Sequence, residues 1–187
     1  MGQEKLSMSY IRVVDMKRII CSLLMMLAFC GAYAQKGHLN FLGVSMNSDK
    51  DAFVSRMEGK GFVTDMEQGV SVMMTGNYMG EEVTLLVGFT PKTQQVYCIT
   101  VMFLPMTVHT FSSLEEKLTA KHGESFRRVD DPAKLRGDAK GMMVWKIEGK
   151  ESGFITLTQN KSRDNPLSII YLDGSNRLLY QEELADE

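Results

Sequence analysis

Apolar positions recur with two different periods along most of this chain, and the switches between them mark out its elements. Asn47-Ser48-Asp49 offers capping side chains for a helix with apolar stripe Phe53, Val54 and Met57, ended by Gly59 and Gly61. Extended runs follow at 62–66, 70–75, 83–89 and 96–104. In the third, Val83, Leu85, Val87 and Phe89 alternate with Thr84, Leu86 and Gly88, the period of a strand with one buried face. Gly76-Asn77, Gly80-Glu81 and Pro91-Lys92-Thr93 separate the runs as turns.

The order then recurs. Ser112-Ser113 reads as the cap of a second helix, Leu114 to Lys121, with Glu115 and Glu116 suiting the positive end of its dipole. Leu114 and Leu118 form its apolar stripe, His122-Gly123 ends it, and runs at 125–129, 142–147, 154–158 and 167–172 follow. A shift of about 70 positions lays Leu85 and Val87 on Ile155 and Leu157, and Ile99 and Val101 on Ile169 and Tyr171.

One helix over four short strands excludes little water, whereas two copies side by side build a usable core. The pattern therefore predicts an α+β fold of two tandem α-β4 repeats, about 47–104 and 111–173, in one antiparallel sheet with the helices on one face. Its predicted core is Phe53, Met57, Leu85, Val87, Leu114, Leu118, Ile155 and Leu157. The charged stretch 130–140, with Pro132 and Gly137, reads as a mobile surface loop, and a C-terminal helix is expected at about 175–184.

The N-terminus has a different character. Lys17-Arg18, the apolar run Ile19 to Cys30 and the small-residue site Gly31-Ala32-Tyr33-Ala34 together read as an export signal cleaved between Ala34 and Gln35. The run is shorter than the ~20 residues that a membrane-spanning helix needs. Residues 1–34 thus form an N-terminal extension plus signal, and 35–187 a single periplasmic or secreted domain. The alternative is an outer-membrane lipoprotein acylated at Cys30, against which the bulky Phe29 before it argues. Cleavage leaves Cys98 as a lone thiol, which forms no internal disulfide and is expected to be buried and unreactive within its apolar run.

Charge and composition narrow the chemistry. The net charge is −2, and 1–34 holds four basic residues (Lys5, Arg12, Lys17, Arg18) against two acidic ones (Glu4, Asp15), so the exported part is more acidic still. Such a balance gives no electrostatic basis for nucleic-acid binding. His38, His109 and His122 lie far apart with no ligand partner at metal spacing, so neither a metal nor a cofactor is expected. There is no nucleophile elbow and no phosphate loop, and Glu81-Glu82 and Asp130-Asp131 read as solvated charge, so no catalytic residue is assigned. The 15 methionines read chiefly as core filler.

Candidate binding residues come from the sheet. Thr84, Thr100, Thr156 and Thr158 are expected on its outward face. For Trp145 the sequence supports two placements: Lys146 puts Met142 and Val144 outward and buries the indole, while the repeat shift sets it opposite Thr75 and exposes it. An exposed Trp145 would be the natural hot spot of a binding face.

The signal-bearing N-terminus, the Phe41-Leu42-Gly43-Val44 entry and the tandem layout resemble small secreted proteins of Gram-negative gut anaerobes with no assigned function. The layout over residues 41–175 is also similar to the β-lactamase inhibitor protein fold. That resemblance implies a concave sheet face, away from the helices, that binds protein; fold alone does not fix function. The expected role is a non-enzymatic secreted or periplasmic binding module for a protein or envelope component, with no stable membrane span. The competing roles are a hydrolase of cell-wall or glycan material with an unrecognised site, and an envelope assembly factor.

Overall fold

The alternation of 83–89 is realised in a strand whose Val83, Leu85, Val87 and Phe89 are all buried, and that face orients the rest of the molecule. In a computed structural model, residues 37–131, 135, 139–147, 153–164 and 166–185 are described. The segment read as an export signal, with Cys30 and the Ala34–Gln35 pair expected to be cleaved, and most of the 130–140 insertion lie outside them.

The first half runs β1 (Asn40–Phe41), β2 (Val44–Ser45), α1 (Lys50–Glu58), β3 (Val63–Gln68), β4 (Ser71–Tyr78), β5 (Glu81–Phe89) and β6 (Val96–Phe103). The second runs α2 (Phe111–His122), β7 (Arg127–Val129), β8 (Ala139–Ile147), β9 (Gly153–Asn160), β10 (Leu167–Leu172) and α3 (Gly174–Ala185). Eight strands make one antiparallel sheet in the order β3-β4-β5-β6-β10-β9-β8-β7, so the two halves meet at β6 and β10. The fold is α+β, with a separate two-stranded β1–β2 ribbon.

One face of the sheet carries the core. Phe53 and Met57 of α1 and Leu114 and Leu118 of α2 are fully buried in the same cluster as Leu85, Val87, Ile155 and Leu157, which is the core expected from the pattern. Asp49 caps α1 by accepting the Ala52 N–H at 2.9 Å. The second helix starts earlier than its sequence suggests. Thr110 is its cap and Ser113 its third residue, each side chain bonded to the other's backbone N–H, so Ser112-Ser113 is not the cap and Glu115 and Glu116 fall beyond the first turn.

The lead before α1 is not a plain connection. β1 and β2 form a tight hairpin with Leu42 and Gly43 both at positive φ, the turn that suits the twist of paired strands. It places Phe41 in the core, 5.4 Å from the Tyr78 ring and 5.2 Å from that of Tyr171, whose hydroxyls share a buried 2.7 Å hydrogen bond. Burial raises both phenols' pKa values, so the pair stays protonated.

The last helix does not join the core layer. Asp173, buried at the start of α3, accepts from Leu39 N at 2.8 Å, Asn176 N at 3.1 Å and His38 Nδ1 at 3.1 Å, tying the hairpin lead to the C-terminal helix. Tyr180 of α3 stacks at 4.3 Å on Tyr97. The Tyr97 ring in turn lies against Gly88, where an added Cβ would meet it at 2.8 Å, on the face opposite the core. Only glycine fits there.

Candidate functional site

Residues paired across neighbouring strands point to the same side of a sheet, so the register identifies what the second face presents. Its central row crosses all eight strands. Met66, Met73, Leu86 and Thr100 come from the first half, and Ile170, Thr156, Val144 and Arg127 continue it through the second. A parallel row holds Val63, Thr75, Thr84 and Met102, then Ser168, Thr158, Met142 and Val129, of which Ser168 and Val129 are buried. Arg127, on an edge strand, is the single charged side chain in the two rows. A third row, through Gly88, Cys98 and Leu172, leads towards the Tyr97–Tyr180 stack.

An antiparallel sheet with one solvated face normally alternates apolar-in with polar or charged-out. Here the two central rows are chiefly methionine, aliphatic and threonine, with Met66 49% and Leu86 43% exposed, while Arg127 stands at one end and Lys146 and Glu82 in the rows to either side. Eight strands at ~4.8 Å spacing and two rows a strand repeat apart give a patch about 34 Å by 14 Å, on the order of 500 Å². Exposed apolar-rich patches of that size mark interaction sites more often than bare surface.

Thr84, Thr100, Thr156 and Thr158 all lie on this face, Thr100 and Thr156 in the central row and the other two in its neighbour. Trp145 does not. It is 1% exposed on the core side and donates its Nε1–H to the carbonyl of Gly123, the C-cap of α2, at 3.1 Å. The placement argued from Lys146 holds, and the repeat shift fails because Ala139–Gly141 carries a β-bulge that puts β8 out of step. Trp145 is therefore removed from the candidate binding residues. Cys98 is only half-buried, on the third outward row, rather than enclosed; burial of its thiol raises the pKa, partly offset by Thr100, which keeps it unreactive.

A second feature lies at the end of the second half. The β6–α2 loop, the first residues of β8 and the β9–β10 turn enclose a cleft of about 610 Å³. Among the described residues three cations line it, Lys140, Lys161 and Arg163, and no carboxylate does. His109 is also on its wall but is engaged: Nε2 lies 3.2 Å from the Met79 carbonyl, Nδ1 3.5 Å from Lys117 Nζ, and the ring meets Phe103 edge-on. Glu81 holds the loop beside it, accepting from the Thr107 hydroxyl and, at 2.8 Å, from Val108 N.

Among the described residues no group of His, Cys, Asp or Glu is arranged to hold a metal ion, and no helix is long and apolar enough to cross a membrane. His38 is tied to Asp173, and His122 ends α2 with Nε2 buried and its pKa lowered by that burial and by Lys121. Sequence reasoning found the threonines but missed the cleft, whose cations come from two separated segments. The fold defines an α+β domain built on one large antiparallel sheet. Compared with protein-family models, with curated proteins and with solved structures, the chain matches none.

Proposed function

We propose that this chain is an exported, non-enzymatic binding module, and that the two central rows on the outward face of its eight-stranded sheet, where Arg127 is the one charged side chain, receive a folded protein partner. The observation that carries the reading is the pair of registered rows, rich in methionine and threonine, on the side where a free sheet would carry charge. Their outline of about 500 Å², enlarged by side-chain relief, approaches the ~800 Å² per partner of a standard protein interface. Methionine and threonine also suit a protein surface better than a highly charged polymer, since they offer adaptable apolar contact and isolated hydroxyls.

The two halves read as copies of one ancestral α-β4 unit. The pairing Val101↔Ile169, Thr100↔Ile170 and Ile99↔Tyr171 is what a twofold axis between β6 and β10 generates for a 70-residue offset, since Ile99 and Val101 exchange places with Ile169 and Tyr171. This supports the similarity to the β-lactamase inhibitor protein layout and its use of the outward face for protein.

The test compares full-chain wild type with Thr100→Arg and Thr156→Arg in capture from envelope proteins of the native host. Both variants should fold normally yet lose the captured protein by at least about tenfold, because each leaves an unpaired charge in the contact. Lys60→Glu, on the turn after α1, is the control and should capture as wild type does. Equal capture by all four proteins contradicts the reading, as does turnover of a glycan substrate abolished by neither face variant.

A further inference from the structure

The cleft at the end of the second half is independent of the sheet face. We propose that it binds a phosphate-bearing ligand through Lys140, Lys161 and Arg163. Two segments deliver these cations to one hollow: Lys140 from the start of β8, Lys161 and Arg163 from the β9–β10 turn, facing the loop from Pro105 to Thr110.

The concentration of charge is not forced by composition. The whole chain is net acidic, yet this lining holds three cations and no carboxylate. Like charges brought together in a hollow repel, a cost that surface residues ordinarily avoid by spreading out or by pairing with acids. Among the described residues no ion pair joins any of the three to a carboxylate. Of the nearby acids, Glu81 accepts from Thr107 and Val108, Asp130 is bridged by Arg128 at 2.7 Å, and Asp164, next to Arg163 in the turn, does not line the cleft.

Lys140 is also placed by a distortion rather than by the regular ladder. Ala139 pairs with Asn160 and Gly141 with Gln159, which makes Lys140 the extra residue of a β-bulge, a device that re-aims a side chain. Thr110, whose hydroxyl accepts from Ser113 N and keeps its own hydrogen, adds a donor to the opposite wall. Three positive charges around a hollow of ~610 Å³ suit a group carrying two negative charges better than a single carboxylate, and leave room for what it is attached to.

The phosphate has two possible sources. Met106 and Val108, 93% and 83% exposed, alternate with the cleft-lining Pro105 and Thr107 on the same loop. A lipid headgroup in the cleft would set those two side chains against acyl chains, whereas a soluble phosphate would leave them in water.

The full chain, labelled with ¹⁵N, is titrated with inorganic pyrophosphate at low ionic strength. Saturable shifts are expected at Thr107, Thr110, Lys140 and Lys161, and Lys140→Ala and Arg163→Ala should each weaken binding about tenfold, the loss of one charge-assisted contact. Shifts that fail to saturate by about 10 mM, or that spread equally to Lys50 and Lys60, overturn the proposal. Co-sedimentation with phosphatidic acid–phosphatidylcholine vesicles, whose phosphomonoester headgroup can carry two negative charges, separates the sources. Binding lost in both Arg163→Ala and Met106→Ser/Val108→Ser supports a headgroup, pyrophosphate binding without sedimentation supports a soluble ligand, and failure in both arms ends the case.

Discussion

The two halves solve the same packing problem in different ways. In each, the chain leaves its helix at a glycine, Gly59 or Gly123, and reaches a phenylalanine three residues later. In the first half that residue, Phe62, folds onto the sheet and is buried, with its ring so close over Gly76 that an added Cβ would sit 2.4 Å away. In the second half Trp145 rises from β8, closes the end of α2 and bonds to Gly123, while Phe126 is left 69% exposed. The lesson is that a helix ending at a glycine with a phenylalanine three residues on does not fix which element supplies the buried aromatic. Charge differs as well: the hollow beside β3 and β4 is lined by Asp65 and Glu82, the cleft of the second half by three cations.

That difference is most easily broken at the aromatics. Trp145→Ala should cost about 3–5 kcal/mol in urea unfolding, since it empties a fully packed site and orphans the Gly123 carbonyl, whereas Phe126→Ala should change stability by less than about 0.5 kcal/mol. Equal costs would mean that the two residues share the site. Gly76→Ala should cost about 1–3 kcal/mol by overpacking against Phe62, and Phe62→Leu should recover part of it in the double variant. Additive losses would show that the methyl group is accommodated elsewhere.

Acid should act on the first half before the second. Glu81 holds the loop after β6, and Glu183 of α3 holds the turn before it, accepting from Lys92 N at 2.5 Å and Thr93 Oγ1 at 2.6 Å. Burial pushes each carboxyl up, but the donors outweigh it and leave both below their ordinary value of 4.5; the donors are Thr107, Val108 and His109 for Glu81, and Thr93 and Lys92 for Glu183. A carboxyl lowered by folding contributes stability above its unfolded pKa and loses it as pH falls through the folded value. Exchange protection at Lys92, Thr93 and Val108 should therefore fall first below about pH 4.5, and Glu81→Gln with Glu183→Gln should flatten that pH dependence. Uniform loss across both halves would contradict it.

How much of this was legible depends on how local the signal is. The alternation in β5, the stripes of α1 and α2 and the predicted core survive intact because burial imprints directly on the residue period. The β1–β2 hairpin was not legible, since its turn uses Leu42 where asparagine would announce a positive φ. Thr110 was hidden as a cap by the two serines after it, both inside the helix. Trp145 was ambiguous because a single bulged residue decides the face of everything beyond it. The outward threonines were readable from alternation; the convergence of Lys140, Lys161 and Arg163 was not, because only the fold brings those segments together.

The smallest structural effect, and the most direct test, is a protection pattern. Methionine oxidation of the full chain, alone and in complex with its captured partner, reads Met66, Met73, Met102 and Met142 on the sheet face against Met106 on the far loop. A partner seated on the face should slow oxidation of the four sheet methionines and leave Met106 as reactive as before. Protection of Met106 with the sheet methionines unchanged would place the contact elsewhere and contradict the assignment of the face.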